Sequence, residues 1–214
     1  MILACIFDLD GVVVDTAKYH YLAWKRLANE MGFDFTESDN ERLKGISRMR
    51  SLDILLEVGN VDLSEDEKLK AAERKNAWYV EYISKMNADE ILPGVVDFIQ
   101  YLRNDGIKIA LGSASKNAPI ILDQTKISGY FDAVIDGNTV SKAKPDPEVF
   151  LKGADALGLQ PANCLVFEDA EAGVEAAINA GMYCVGVGSP DNLQKANLVI
   201  PGFANVNYND LLNF

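Results

Sequence analysis

The chain has 214 residues, enough for one sizeable domain or for a core domain with a smaller one beside it. Apolar residues make up 49% of it, so a real core can form. The net charge of −12 argues against a nucleic-acid or anionic-membrane surface, while leaving room for a local basic pocket.

Cys5, Cys164 and Cys184 are far apart and show no CxxC spacing. They read as reduced packing residues, and the expected location is the cytoplasm. The first strand begins within a few residues of Met1, so no signal peptide is expected, and no apolar run approaches membrane-spanning length.

In chain order, Leu3 to Phe7 is apolar throughout, as in a parallel strand covered on both faces. It runs into Asp8-Leu9-Asp10-Gly11, a carboxylate pair where the strand emerges into a loop. Like charges side by side have an electrostatic cost, met by a cation or a shared proton. From Thr16 to Met31, Tyr19, Ala23, Trp24, Leu27, Ala28 and Met31 form one helical stripe that Gly32 stops. A second helix is predicted from Ser47 to Val58. Ser64-Glu65-Asp66-Glu67 reads as a capping box opening a third, predicted to run to Met86. No strand is predicted between Thr16 and Met86.

After Pro93-Gly94 strands and helices alternate. Helix Val95–Asn104 precedes strand Ile107–Leu111, which leads into Gly112-Ser113. A helix follows, then strand Ala133–Ile135 and a helix between Pro147 and Gly158. Strand Cys164–Phe167 ends at Glu168-Asp169. A helix from Ala170 to Ala180 and strands Tyr183–Val187 and Leu198–Ile200 complete the set. The pattern predicts an α/β protein with a Rossmann-like open parallel sheet. A helical cap, 16–87, is inserted into a core of 1–15 and 88–214, with short joins near Val14–Thr16 and Asn87–Leu92.

Four predicted strand ends carry polar groups: Asp8 with Asp10, Ser113, Lys144 after a short turn, and Glu168 with Asp169. In an open α/β sheet, ligands bind beyond the carboxyl ends of the strands, so these groups converge there. Hard oxygen ligands without histidine or thiol suit Mg²⁺.

These motifs, in this order, resemble those of the haloacid dehalogenase-type phosphotransferases over nearly the whole chain. Asp8-Leu9-Asp10-Gly11-Val12 is similar to the nucleophile motif, Ser113 to the second, Lys144-Pro145 to the third, and Glu168-Asp169 to the acidic fourth. The stretches around Asp15 to His20 with Trp24, Leu43 to Arg48, Arg74 to Asn76 and Ser113 to Asn117 resemble the sugar phosphomutases within that superfamily.

The resemblance implies a Mg²⁺-dependent enzyme. Asp8 is the expected nucleophile, forming an aspartyl phosphate, and Asp10 the general acid/base. Lys144 and Ser113 are expected to support the phosphate, and Asp8, the Asp10 backbone carbonyl, Glu168 and Asp169 to hold the metal. Thr16, His20, Trp24, Lys44, Gly45, Ser47, Arg48, Lys75, Ala114, Ser115, Lys116 and Asn117 are the expected substrate-binding positions, with Arg48 a bidentate phosphate clamp on the cap. The substrate is expected to be a sugar phosphate, the activity a transfer between C1 and C6 of β-D-glucose through the bisphosphate, and the protein a monomer.

The same four motifs serve a sugar-phosphate or phosphoglycolate phosphatase, and only the cap residues separate the two. A non-catalytic sugar-phosphate-binding protein would not need both Asp8 and Asp10. Blander readings stand beside individual residues. His20, the single histidine, also fits a solvated helix position, and Trp24 fits cap packing. Arg48 fits a surface helix residue. Glu73, Arg74, Lys75 and Glu81 fit a solvated helix face. Asp15, Ser115 and Asn117 fit helix caps.

Overall fold

The computed structural model describes residues 1–204 and 206–211. The core is built from β1 (Ala4–Phe7), β2 (Lys108–Gly112), β3 (Ala133–Ile135), β4 (Cys164–Glu168), β5 (Tyr183–Val187) and β6 (Leu198–Ile200). They form one parallel sheet in the order β3-β2-β1-β4-β5-β6. Connections leave β1 toward β2 on one side and β4 on the other, so the order reverses at β1, where a crevice opens at the strand ends. Phe7 is in register with Leu111 and Phe167, which sets Asp8, Gly112-Ser113 and Glu168-Asp169 side by side.

Every residue of β1 is fully buried, because helices cover both faces. Phe7 packs against Phe98, Phe167 and Phe203, stacking on Phe167 at 4.8 Å between ring centroids. Ile6 faces the other way, with Phe150, Val166 and Val174. Helices α5 (Val95–Asn104), α6 (Ala118–Thr125), α7 (Glu148–Leu157) and α8 (Glu171–Asn179) supply these layers.

Between β1 and α5 lie the remaining helices, α1 (Ala17–Glu30), α2 (Glu37–Glu41), α3 (Arg48–Gly59) and α4 (Glu65–Ile83). Trp24, Leu27, Phe35, Leu52, Leu55 and Ala71 form an apolar cluster of their own. The base of this layer joins the core: Ala23, Tyr79 and Ile83 pack into the cluster that contains Phe7. The two joining segments are paired, Asp15 N donating to Glu90 O at 2.9 Å and Leu92 N to Val13 O at 3.0 Å.

Two elements differ from expectation. α4 ends at Ile83 rather than Met86, where the Ser84 hydroxyl donates to Val80 O and a short 3-10 turn capped by Asn87 follows. The sequence reading lacked α2, a five-residue helix too short for periodicity, although Thr36 and Asp39 cap it reciprocally. Cys184 lies inside β5, within the predicted strand, and all three cysteines are buried and free. Among the described residues no helix is long and apolar enough to cross a membrane.

Candidate active site

At the end of β1 the Asp8 N–H continues the sheet by donating to Phe167 O at 3.0 Å. Gly11, at φ +83°, then turns the chain. Only glycine fits this turn, since a Cβ there would lie 2.2 Å from Asp169 Oδ2. Lys144 joins the strand ends. Its Nζ donates to Asp8 Oδ1 at 2.6 Å and to Glu168 Oε1 at 2.5 Å, with the side chain 1% exposed. The other oxygen of Glu168 accepts from Ala170 N at 2.8 Å.

One buried cation cannot neutralise this many carboxylates. Burial, followed by Glu168 and Asp10, pushes the Asp8 carboxyl up to about 7 against the pull of Lys144. Asp169 is raised well above the carboxylate range by burial and then by Glu168 and Asp8. Burial lowers the Lys144 ammonium, but Asp8 and Glu168 outweigh it and raise it overall. Among the described residues, Asp8, Glu168 and Asp169 form the one acidic cluster whose ligand oxygens lie within 4.8 Å of one another. An all-carboxylate set with surplus negative charge fits a hard divalent cation such as Mg²⁺. Asp10 contributes no side chain to it. Its Oδ1 accepts from the Thr16 hydroxyl instead.

Ser113 is fully buried, and its Oγ accepts from Ser115 N at 3.0 Å, leaving its own proton to donate. Ala114 follows it, half-buried. Ser115 Oγ accepts from Asn117 N at 3.2 Å, and Asn117 Nδ2 donates to Asn76 Oδ1 of α4 at 2.9 Å, tying this loop to the helical layer. Lys116 is exposed.

In the helical layer Lys75 is 3% exposed, its Nζ 3.0 Å from His20 Nδ1 and over the rings of Trp24 (4.4 Å) and Tyr79 (4.7 Å). Burial and then Arg48 lower the Lys75 ammonium to about 7. Burial, Lys75 and Arg48 lower His20 well below its usual range, so its Nδ1 is free to accept. Arg48 is half-buried in the first turn of α3, behind Ser47, whose hydroxyl caps the helix by accepting from Arg50 N at 3.3 Å. Lys44 pairs with Glu41 at 2.9 Å, and its charge reaches Asp169. Gly45 lies on the same loop, against Ala170.

The solvated-face reading therefore fails for Lys75 and holds for Arg74, which pairs with Glu30, and Glu81, which pairs with Lys85. Trp24 is both cap packing and the floor under Lys75. Thr16, not Asp15, is the N-cap of α1, and its hydroxyl serves Asp10 rather than its own helix. Tyr79 was missed. It is 1% exposed, 4.1 Å from His20 between ring centroids, beside Asp10 and Thr16, with a hydroxyl that lacks a well-directed hydrogen bond. Its signal was present: four residues after Lys75 on one helix, it shares that face.

The family profile of the haloacid dehalogenase-like hydrolases matches residues 2–181, which contain every group described above. The chain belongs to the haloacid dehalogenase-like hydrolase family. Within that family it is similar to the β-phosphoglucomutase of Bacillus subtilis (strain 168), 46% identical over 199 residues, spanning 92% of this chain and 88% of that protein. A solved β-phosphoglucomutase from Clostridium difficile superposes with a TM-score of 0.90 at 46% identity, covering 98% of each chain. A phosphorylated carbohydrates phosphatase of Thermotoga maritima is 32% identical over 214 residues, 98% of this chain and 96% of that one. The chain is thus an enzyme of this family's phosphomutase and sugar-phosphate phosphatase branch.

Proposed function

We propose that the protein is a Mg²⁺-dependent phosphomutase that interconverts β-D-glucose 1-phosphate and D-glucose 6-phosphate through β-D-glucose 1,6-bisphosphate. One observation carries the choice of mutase over phosphatase. Buried Lys75, with the half-buried His20 and Arg48 beside it, stands behind Asp10, apart from the Lys144 cation at Asp8. A bisphosphate needs such a second cationic end, and a hydrolase acting on one ester does not.

In this reading Asp8 carries the transferable phosphate. The sugar hydroxyl oxygen bonds to phosphorus, the Asp8 O–P bond breaks, and Asp10 takes the hydroxyl proton. The bisphosphate then turns end for end. Asp8 attacks its other phosphate while Asp10 returns the proton to the leaving oxygen. Lys144 and the free proton of Ser113 face the charge that builds on the transferring group. Asp8, Glu168, Asp169 and the Asp10 carbonyl would hold Mg²⁺, which offsets the charge of nucleophile and phosphate. Thr16, held against Asp10, and the His20–Lys75 pair position the acid/base. Arg48, with Ser115, Lys116 and Asn117, binds the distal phosphate, and Trp24, Lys44 and Ser47 line the sugar's side. Residues 16–87 act as a cap closing over the core, and the chain works as a monomer in the cytoplasm.

A coupled assay tests this. Supplied with β-D-glucose 1-phosphate, Mg²⁺ and a trace of the bisphosphate, the protein is expected to produce glucose 6-phosphate with little free phosphate. Release of mainly free phosphate favours the second reading, a sugar-phosphate phosphatase, which the Thermotoga relative supports.

A further inference from the structure

Among the described residues two buried side-chain groups lack a hydrogen-bond partner, Asn40 Oδ1 on α2 and the Tyr79 hydroxyl on α4. Only the second lies at the active site, beside Asp10 and Thr16. Tyr79 follows Lys75 by one helical turn. Its ring meets His20 at 4.1 Å between centroids, and Lys75 Nζ lies 4.7 Å from the ring centre. The ring is thus held by its neighbours, and at 1% exposure its hydroxyl cannot turn to solvent.

Packing does not account for the oxygen. Phenylalanine would fill the same space without the cost of burying an unpaired hydroxyl. The proton of that hydroxyl therefore needs an acceptor. Thr16 has already given its own hydroxyl proton to Asp10 Oδ1, the one directed bond to that carboxylate among the described residues. An ionised carboxylate offers further acceptor positions beyond this one.

We propose that Tyr79 is a positioning residue for the acid/base: its hydroxyl donates to the Asp10 carboxylate once a sugar hydroxyl engages that carboxylate, and aims it at the proton it takes. The Tyr79 proton stays on its own oxygen. Burial, and then the Asp10 charge, hold the phenol well above its ordinary range, so it remains a donor throughout. In the transfer itself the sugar oxygen bonds to phosphorus, the Asp8 O–P bond breaks, and the sugar's proton passes to Asp10. The proposal rests on the phosphomutase reading.

The test uses the full chain with Mg²⁺ in two steps. Acetyl phosphate first phosphorylates Asp8. Its leaving group, acetate, is a weak base that needs no proton, so this step bypasses Asp10. The phosphoenzyme, freed of donor, is then mixed with β-D-glucose 1-phosphate, and its decay is followed by rapid quench and intact mass. Tyr79→Phe is expected to be phosphorylated at the wild-type rate and to keep the half-saturating sugar concentration. Its transfer step is expected to slow by about 10–100-fold, the loss of one hydrogen bond to a charged group. Its melting temperature is expected to equal or exceed that of the wild type, because an unpaired buried hydroxyl is gone. In an Asp10→Asn background the same substitution is expected to change transfer by no more than about twofold, since Tyr79 acts through that carboxylate. A wild-type protein that yields mainly free phosphate overturns the phosphomutase reading. The role of Tyr79 alone is overturned by a wild-type mutase whose Tyr79→Phe variant transfers at full rate, or is impaired only in sugar affinity. The same holds if that variant melts below the wild type, or slows transfer equally in the Asp10→Asn background.

Discussion

The Glu168 carboxylate fills the space that Gly173 leaves on α8: a Cβ built on Gly173 would lie 1.8 Å from Oε1 and 2.0 Å from Cδ. Gly173→Ala therefore must expel that carboxylate from its bonds to Lys144 and Ala170 N. Overpacking of this kind costs about 1–3 kcal/mol. Divalent-cation affinity is expected to fall by about 10–100-fold, as when a group orienting metal ligands is lost. Calorimetric Mg²⁺ titration measures it, and a wild-type affinity in a folded Gly173→Ala protein would contradict the packing argument.

Lys144 is the only cation bonded to the buried Asp8–Glu168 pair among the described residues. Lys144→Met leaves those carboxylates facing one another, a loss of roughly 3–5 kcal/mol. Mg²⁺ is expected to recover more melting temperature in this variant than in the wild type, because it replaces missing charge. Melting curves with Mg²⁺ and with chelator decide; equal gains in both proteins would count against a cation at Asp8, Glu168 and Asp169.

Lys75 supplies a pH dependence of opposite origin. Its folded-state value of about 7 lies below that of an unfolded lysine, so the unfolded chain binds the extra proton between them. Stability from this residue is thus lowest below about pH 7 and rises with pH until the unfolded lysine also loses its proton, at roughly 10.4. Lys75→Met is expected to lack that rise. Denaturation midpoints of both proteins from pH 6.5 to 9.5 should converge as pH increases, and parallel profiles would show that Lys75 is not held in a desolvated site. Phosphate turnover with the sugar substrate should fall in the same variant.

Asp8 and Asp10 should separate cleanly. Asp8→Asn is expected to yield no phosphoenzyme. Asp10→Asn should keep Mg²⁺ binding, since its carboxylate turns to Thr16 and not to the acidic cluster, yet lose about 10²–10⁴-fold in transfer. Intact-mass detection of the phosphoenzyme and Mg²⁺ titration together report both; a phosphorylated Asp8→Asn protein would exclude Asp8 as nucleophile.

What the sequence determined by itself was whatever local chemistry dictates. The apolar runs that end in Asp8, Ser113 and Glu168-Asp169 specify buried parallel strands, and a parallel sheet must bring their carboxyl ends together. Caps such as Ser64 and turns such as Gly11 are likewise short-range. The tertiary structure decided what depends on burial between distant segments. Lys75 sits in a charged stretch that reads as solvated, and only the packing of α4 on α1 places it over Trp24 and against His20. Tyr79 and Gly173 carried no motif, because a hydroxyl left unpaired and a missing Cβ acquire meaning only from the atoms opposite them. Gly45 shows the division most plainly. Its sequence context placed it among the substrate positions, while the core atom it meets, Ala170, lies far along the chain and only the fold brings it there.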